Sequence, residues 1–259
     1  MSGPLLHVEG LRSGYGDSQV LHGLDLEVPE GQVVAVLGRN GTGKTTFMHT
    51  MLGLVPRTAG RILLDGVDVS GLPTHEVARR GLRIVPQGRR VFTSLTVEEN
   101  LRVAVSRRDP GPWTIPRIYD TLPSLYARRA NRSDRLSGGE QEMLAIARAL
   151  LGNPKVLLLD EPSDGLAPKV VETVGEILAG LRGEGLSAVL VEQNLKLAVT
   201  ASDVVCCLVR GQIVWRGSTD EFRRRPDIAA RYVGAVIDGG GSGSDPDGQG
   251  DRPAEVRAH

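Results

Sequence analysis

Three uninterrupted apolar runs stand out along the chain: Val33 to Leu37, Val156 to Leu159 and Ser187 to Val191. Runs of this length without polar alternation predict strands covered on both faces, as in a parallel sheet. Residues 5–37 add shorter β-rich runs broken by Gly and Pro, and Val33 to Leu37 leads through a Gly-rich turn into a helical stretch from Lys44 to about Gly53. Helical patterns between strands predict an α/β sheet. From about Gly88 to Leu151 the pattern changes. Arg and other polar residues are frequent, the spacing is helical, and no run is as clean as the first three. This stretch predicts a mainly helical subdomain, about 88–151, inserted into a domain spanning 5–237. Val204 to Trp215 predicts a hairpin turned at Arg210–Gly211. From Asp238 onward Gly, Ser, Asp and Pro dominate, and Val256 is the one large apolar side chain. Residues 238–259 are therefore expected to be a disordered tail.

Composition narrows the class. With 259 residues, 40% hydrophobic and 24% charged, the chain is long and apolar enough for a core without disulfide staples. Lys+Arg and Asp+Glu are both 31, so bulk charge does not favour a nucleic-acid partner. Cys206 and Cys207 are adjacent within an apolar run, and neighbouring strand residues point to opposite faces, so they are not expected to pair. No basic stretch followed by an apolar core opens the chain, and no apolar run approaches the ~20 residues of a membrane-spanning helix. The expectation is a cytoplasmic protein.

Gly38-Arg39-Asn40-Gly41-Thr42-Gly43-Lys44-Thr45 fits the spacing G-x-x-x-x-G-K-[ST], after an apolar strand and before a helix. The glycines let backbone N–H groups converge on an anion, and the helix that follows, through Thr46, adds its positive dipole end. Lys44 is then placed for the β- and γ-phosphates of a nucleotide and the Thr45 hydroxyl for Mg²⁺. Asp160 and Glu161 follow the second apolar run, at the strand edge where open parallel sheets bind ligands. Asp160 is the expected Mg²⁺ ligand, and Glu161 the expected general base for an attacking water. Ser137, Gly138 and Gly139, with Glu140 and Gln141 after them, open a further helix, where a hydroxyl and two glycine N–H groups form a second possible anion site or a plain helix cap.

Taken together, the phosphate loop, Gln87, Leu136-Ser137-Gly138-Gly139-Glu140-Gln141 and Asp160-Glu161, in that order, resemble the ATP-binding cassette ATPases over about residues 5–237. The resemblance implies a P-loop NTPase core of the α/β class with an antiparallel β subdomain and an inserted helical subdomain. It implies ATP and Mg²⁺ as cofactors. It also implies a composite site, in which Ser137 to Glu140 of one subunit close on ATP held by the phosphate loop of another. Tyr15 falls where this family stacks a ring on adenine, and Gln87 where it contacts Mg²⁺ and the attacking water. Within the family, Val85-Pro86-Gln87-Gly88-Arg89-Arg90-Val91-Phe92, Glu161-Pro162-Ser163 and Val191-Glu192-Gln193-Asn194 resemble the LivF-type ATPases of branched-chain amino acid importers, and urea and amide importers share much of this pattern.

The sequence departs from the wider family in three places. Gln193 replaces a switch His, which is typical of the LivF-type branch. Ala167 stands where many relatives carry an Asp, and Asp164 where LivF-type chains carry an apolar residue. The partners implied are a second ATPase subunit (a paralogue or a second copy), two transmembrane permeases and, through them, an extracytoplasmic solute-binding protein. Arg89, Arg90 and Phe92 are candidates for permease contact. The protein would then lie on the inner face of the cell membrane. The rival is a non-transport cassette acting on DNA or ribosomes, which usually carries a coiled-coil insertion or a second cassette.

Overall fold

The computed structural model describes residues 3–105 and 111–234. The segment read as a tail, 238–259, lies outside the described residues. The chain opens with β1 (Leu6–Tyr15), β2 (Ser18–Val28), β3 (Val33–Leu37), α1 (Lys44–Met51), β4 (Arg57–Leu64), β5 (Val67–Asp68), α2 (Thr74–Arg79) and β6 (Leu82–Val85). Helices α3 (Val97–Ala104), α4 (Ile115–Thr121), α5 (Pro123–Ala127) and α6 (Gly138–Leu150) come next, with a 3₁₀ turn at Ser133–Arg135. Then follow β7 (Val156–Asp160), α7 (Pro168–Gly183), β8 (Ala188–Glu192), α8 (Leu195–Ala201), β9 (Val204–Val209), β10 (Gln212–Ser218) and α9 (Thr219–Arg223).

The strands form two sheets. One is four-stranded and antiparallel, in the order β2-β1-β4-β5. The other is six-stranded, in the order β10-β9-β3-β8-β7-β6, and parallel except for β10. The three apolar runs become β3, β8 and β7, neighbours in the middle of the larger sheet, and every residue in them is buried. Covered faces explain the missing alternation. Val34, Val36, Leu158, Val189 and Val191 pack with Leu24 and Leu26 of β2 and Phe47 and Met48 of α1. Leu157, Leu159 and Leu190 pack on the opposite face with Leu144 of α6 and Val174 of α7. Cys206 joins the first of these clusters, Cys207 faces a third cluster with Phe222, and both thiols are free.

Strand β6 has no counterpart in the apolar runs of the sequence. It is an edge strand, and Arg83 interrupts its apolar pattern. The predicted hairpin forms as β9 and β10, and both turn residues are left-handed, Arg210 at φ 48° and Gly211 at φ 73°. Such two-residue turns match the twist of the flanking strands. The turn lies so close to β2 that a Cβ on Gly211 would stand 1.9 Å from the Val20 carbonyl oxygen. Gly211 donates its N–H to the Thr42 carbonyl and accepts from the His22 N–H, so this turn braces the phosphate loop against β2.

Candidate active site

The site gathers at the C-terminal edge of β3, β7 and β8. After β3 the chain turns through Gly38 to Gly43 and enters α1 at Lys44. Gly43 caps the helix at φ 106°, and a Cβ there would meet Leu21 and Val20 at 3.2 Å. At Gly38 a Cβ would lie 2.6 Å from the Thr42 hydroxyl and 2.8 Å from the Leu208 carbonyl. Both positions therefore need glycine for the loop to fold tightly. No side chain caps α1. The first N–H groups of a helix lack intrahelical partners, so this start is an anion cradle.

Lys44 is 4% exposed, and its ammonium donates to the carbonyls of Gly38 (2.8 Å) and Arg39 (3.2 Å) and lies 3.0 Å from Glu161 Oε1. Those three acceptors match the three donors of an ammonium. Glu161 leaves β7 in the left-handed region, at φ 49°, with its N–H still bonded to the Val191 carbonyl. Its Oε1 also accepts from Gln193 Nε2 at 3.1 Å, and the same Nε2 donates to Asn40 Oδ1 at 2.6 Å. One amide thus ties the phosphate loop to the expected base. Gln87 Nε2 stands 3.5 Å from Glu161 Oε2 and donates to Asp164 Oδ2 at 2.9 Å.

Asp160 is buried beside this group, and its Oδ1 has no hydrogen-bond partner among the described residues. Burial first, then the Glu161 and Glu192 carboxylates, raise its carboxyl to about 6, with Lys44 opposing. A buried carboxylate with an unpartnered oxygen and too little positive charge around it suits a divalent cation. Thr45 is half-buried on the adjoining turn of α1.

Tyr15 ends β1 opposite Ser18 and is 54% exposed. The nearby Val20 lies against Gly43, so the ring stands at the end of the hairpin that meets the phosphate loop. The segment Ser137 to Glu140 lies elsewhere. Ser137 caps α6, its Oγ accepting from the Glu140 N–H while Glu140 Oε2 accepts from the Ser137 N–H, and Arg128 Nε donates to Glu140 Oε1. A Cβ on Gly139 would stand 2.3 Å from Val170 Cγ1, so only glycine lets α6 start against α7. Among the described residues no hydrogen bond joins this segment to the phosphate loop.

Sequence reasoning left Glu192 without a role. It is buried at the end of β8 and accepts from Ser163 N–H and Oγ and from the N–H groups of Gln193 and Asn194, pinning the loop after Glu161 to the segment that carries Gln193. Burial raises its pKa in spite of those bonds. The available signal was an acid closing an apolar strand, the same pattern that marked Asp160. Arg89, a candidate permease contact, also donates through Nη2 to the carbonyls of Asp164 and Gly165 within the chain.

A phosphate-binding loop on a parallel sheet, with an acid pair on the neighbouring strand, defines a nucleotide-hydrolysing protein of the P-loop class. The pattern of the ABC transporter family matches residues 21–164. The chain is 38% identical to the high-affinity branched-chain amino acid transport ATP-binding protein BraG of Pseudomonas aeruginosa, over 89% of this chain and 100% of that protein. It is 34% identical to the lipopolysaccharide export system ATP-binding protein LptB of Haemophilus influenzae, over 89% of this chain and 97% of that one. A solved structure of an ATP binding subunit of an ABC transporter superposes with a TM-score of 0.73 at 26% identity, covering 90% of this chain and 96% of that one. The chain belongs to the ABC transporter family. It is an ATP-binding cassette ATPase, whose hydrolysis of ATP to ADP and phosphate is coupled to transport.

Proposed function

We propose that this chain is the ATP-hydrolysing subunit of an importer of branched-chain amino acids. The observation that carries the hydrolytic role is the convergence of Lys44, Gln193 and Gln87 on the Glu161 carboxylate, beside the unpartnered Asp160. All three ammonium donors of Lys44 are engaged, so phosphate oxygens gain Lys44 by displacing an acceptor. Displacement of Glu161 frees its carboxylate to take a proton from water. Gln193, bonded to both Asn40 and Glu161, keeps the base in register with the phosphate loop. Thr45, Gln87 and Asp160 hold Mg²⁺, which, when bound, offsets the charge on the phosphates. The backbone of Gly38, Arg39, Asn40, Gly41, Thr42 and Gly43, with Thr46, cradles the phosphates, and Tyr15 stacks on adenine. Ser137 to Glu140 sit apart from the phosphate loop of their own chain and act on ATP held by a second cassette, a paralogue or a second copy.

The domain spans 5–237, with a helical subdomain at about 88–151. Permeases dock at the groove of about 440 Å³ lined by Arg83, Arg89, Arg90, Val103 and Arg148. The buried Nε atoms of Arg83 and Arg148 have no partner there, and burial lowers the pKa of both. Among the described residues no helix is long and apolar enough to cross a membrane, so the cassette reaches the inner face of the membrane by docking. The importer reading rests on the resemblance of Val191-Glu192-Gln193-Asn194 and its companions to LivF-type chains and on the BraG relative. The test is affinity capture from native membranes in detergent, followed by uptake assays in vesicles. Two permeases, a second ATPase and ATP-dependent leucine uptake support the reading. Uptake of urea or short amides instead would move the assignment to that importer class, and a lipopolysaccharide export assembly would replace import with export.

A further inference from the structure

The loop after Glu161 is held from two sides. Glu192 takes the N–H and hydroxyl of Ser163, and Arg89 donates to the carbonyls of Asp164 and Gly165 at 3.2 and 2.9 Å. The Asp164 N–H is bonded to the Glu161 carbonyl at 3.0 Å. The backbone that carries the Asp164 carboxylate is therefore held in place on an exposed loop. Facing that carboxylate is Gln87, an exposed side chain with three rotatable bonds of its own. Gly88 and Arg89 are both left-handed, at φ 87° and 61°, and this turn sends Gln87 and Arg89 to the same loop. Gln87 Nε2 is bound to Asp164 at 2.9 Å, while Glu161 lies at 3.5 Å, the outer limit of a hydrogen bond.

We propose that Asp164 is a positioning residue for ATP hydrolysis: its carboxylate fixes the Gln87 amide beside Glu161. This rests on the hydrolytic role given to Gln87 above. Two carboxylates face Nε2, so the amide nitrogen is committed to them. The side-chain oxygen, the only lone-pair donor of the group, is left for the cation or the water. An acceptor on a held backbone removes rotamer freedom that Gln87 would otherwise lose at each turnover, an effect of about five- to tenfold in rate.

The experiment is a double-mutant cycle on steady-state ATP hydrolysis by the full chain, with kcat and KM measured separately. Asp164→Leu is expected to lower kcat about five- to tenfold with KM for ATP unchanged. Asp164→Asn, whose side-chain oxygen still accepts, recovers most of that loss. In a Gln87→Ala background Asp164→Leu causes no further loss, because there is nothing left to position. An unchanged or raised kcat for Asp164→Leu would overturn the proposal. So would a loss that persists at full size in the Gln87→Ala background, which would place the action of Asp164 elsewhere. A Gln87→Ala variant at the wild-type rate would instead remove the role of Gln87 itself, and the proposal with it.

Discussion

Two helices in this molecule begin at glycine-rich turns, and they begin in opposite ways. At α1 the cap is Gly43, left-handed and without a side chain, and the site depends on groups brought from elsewhere: Glu161 from β7, Gln193 from the end of β8 and Asn40 from the loop. At α6 the cap is Ser137, and the segment closes on itself through a reciprocal Ser137–Glu140 pair. The first start is left open for an anion, and the second needs no ligand to hold its shape. The contrast suits the proposed composite site, in which the half that grips the nucleotide is open and the half offered to a second cassette is already rigid.

The largest effect is expected at the open start. Glu161→Gln keeps the shape of the side chain but removes the proposed base, so hydrolysis should fall by about 10²- to 10⁴-fold while ATP still binds. Single-turnover rates and gel filtration with ATP should show a trapped dimer. Hydrolysis at the wild-type rate would remove Glu161 from the role of base.

The next largest effect is expected inside α6. Glu142 is 3% exposed, and burial raises its carboxyl to about 7, with Arg89 opposing and Glu192 adding to the rise. Below its ordinary value of 4.5 the carboxyl is neutral in both folded and unfolded chains. Between 4.5 and about 7 the folded chain keeps a proton that the unfolded chain has released. Stability therefore falls as pH rises through that window and stays at the lower level above it. Glu142→Gln should be more stable than wild type at pH 8, by about 3 kcal/mol, with the advantage shrinking toward pH 4.5. Denaturant midpoints at several pH values measure it, and a constant difference between the two proteins would contradict it.

Lys44→Ala removes the buried ammonium of the open start. It should weaken ATP binding about a hundredfold, the worth of a strong charge-assisted contact. Titration with a fluorescent ATP analogue reads this directly. The smallest effect is expected at the closed start. Ser137→Ala removes one capping bond and should cost about 1 kcal/mol, or roughly 2 °C in Tm, by calorimetry.

Much of this architecture was legible along the chain. β3, β7 and β8 were marked by apolar runs, because strands covered on both faces tolerate no polar alternation. The hairpin at Arg210–Gly211 was marked by its turn residues, and α1 by the phosphate loop before it. β6 was not legible, because an edge strand four residues long with Arg83 inside it carries no periodic signal. Glu192 was visible as an acid after an apolar run but not as a hub, since its partner Ser163 meets it only when β7 and β8 lie side by side. Arg89 stands in a basic loop, and nothing near it in the sequence points to its acceptors inside the chain. Its acceptors, Asp164 and Gly165, are more than seventy residues away along the chain.

What the sequence determined by itself is local. The left-handed turn at Gly43, the bonds of Lys44 to the Gly38 and Arg39 carbonyls and the Ser137–Glu140 pair set a loop shape and two helix starts through interactions within a few residues. What only the tertiary structure decided is which of these groups meet. Parallel pairing of β3, β8 and β7 aligns three strand ends at one edge, and there Lys44, Asp160, Glu161, Glu192 and Gln193 come within reach of one another. The raised pKa values of Asp160 and Glu142 follow from packing, because burial and neighbouring charge are properties of the packed chain and not of its order.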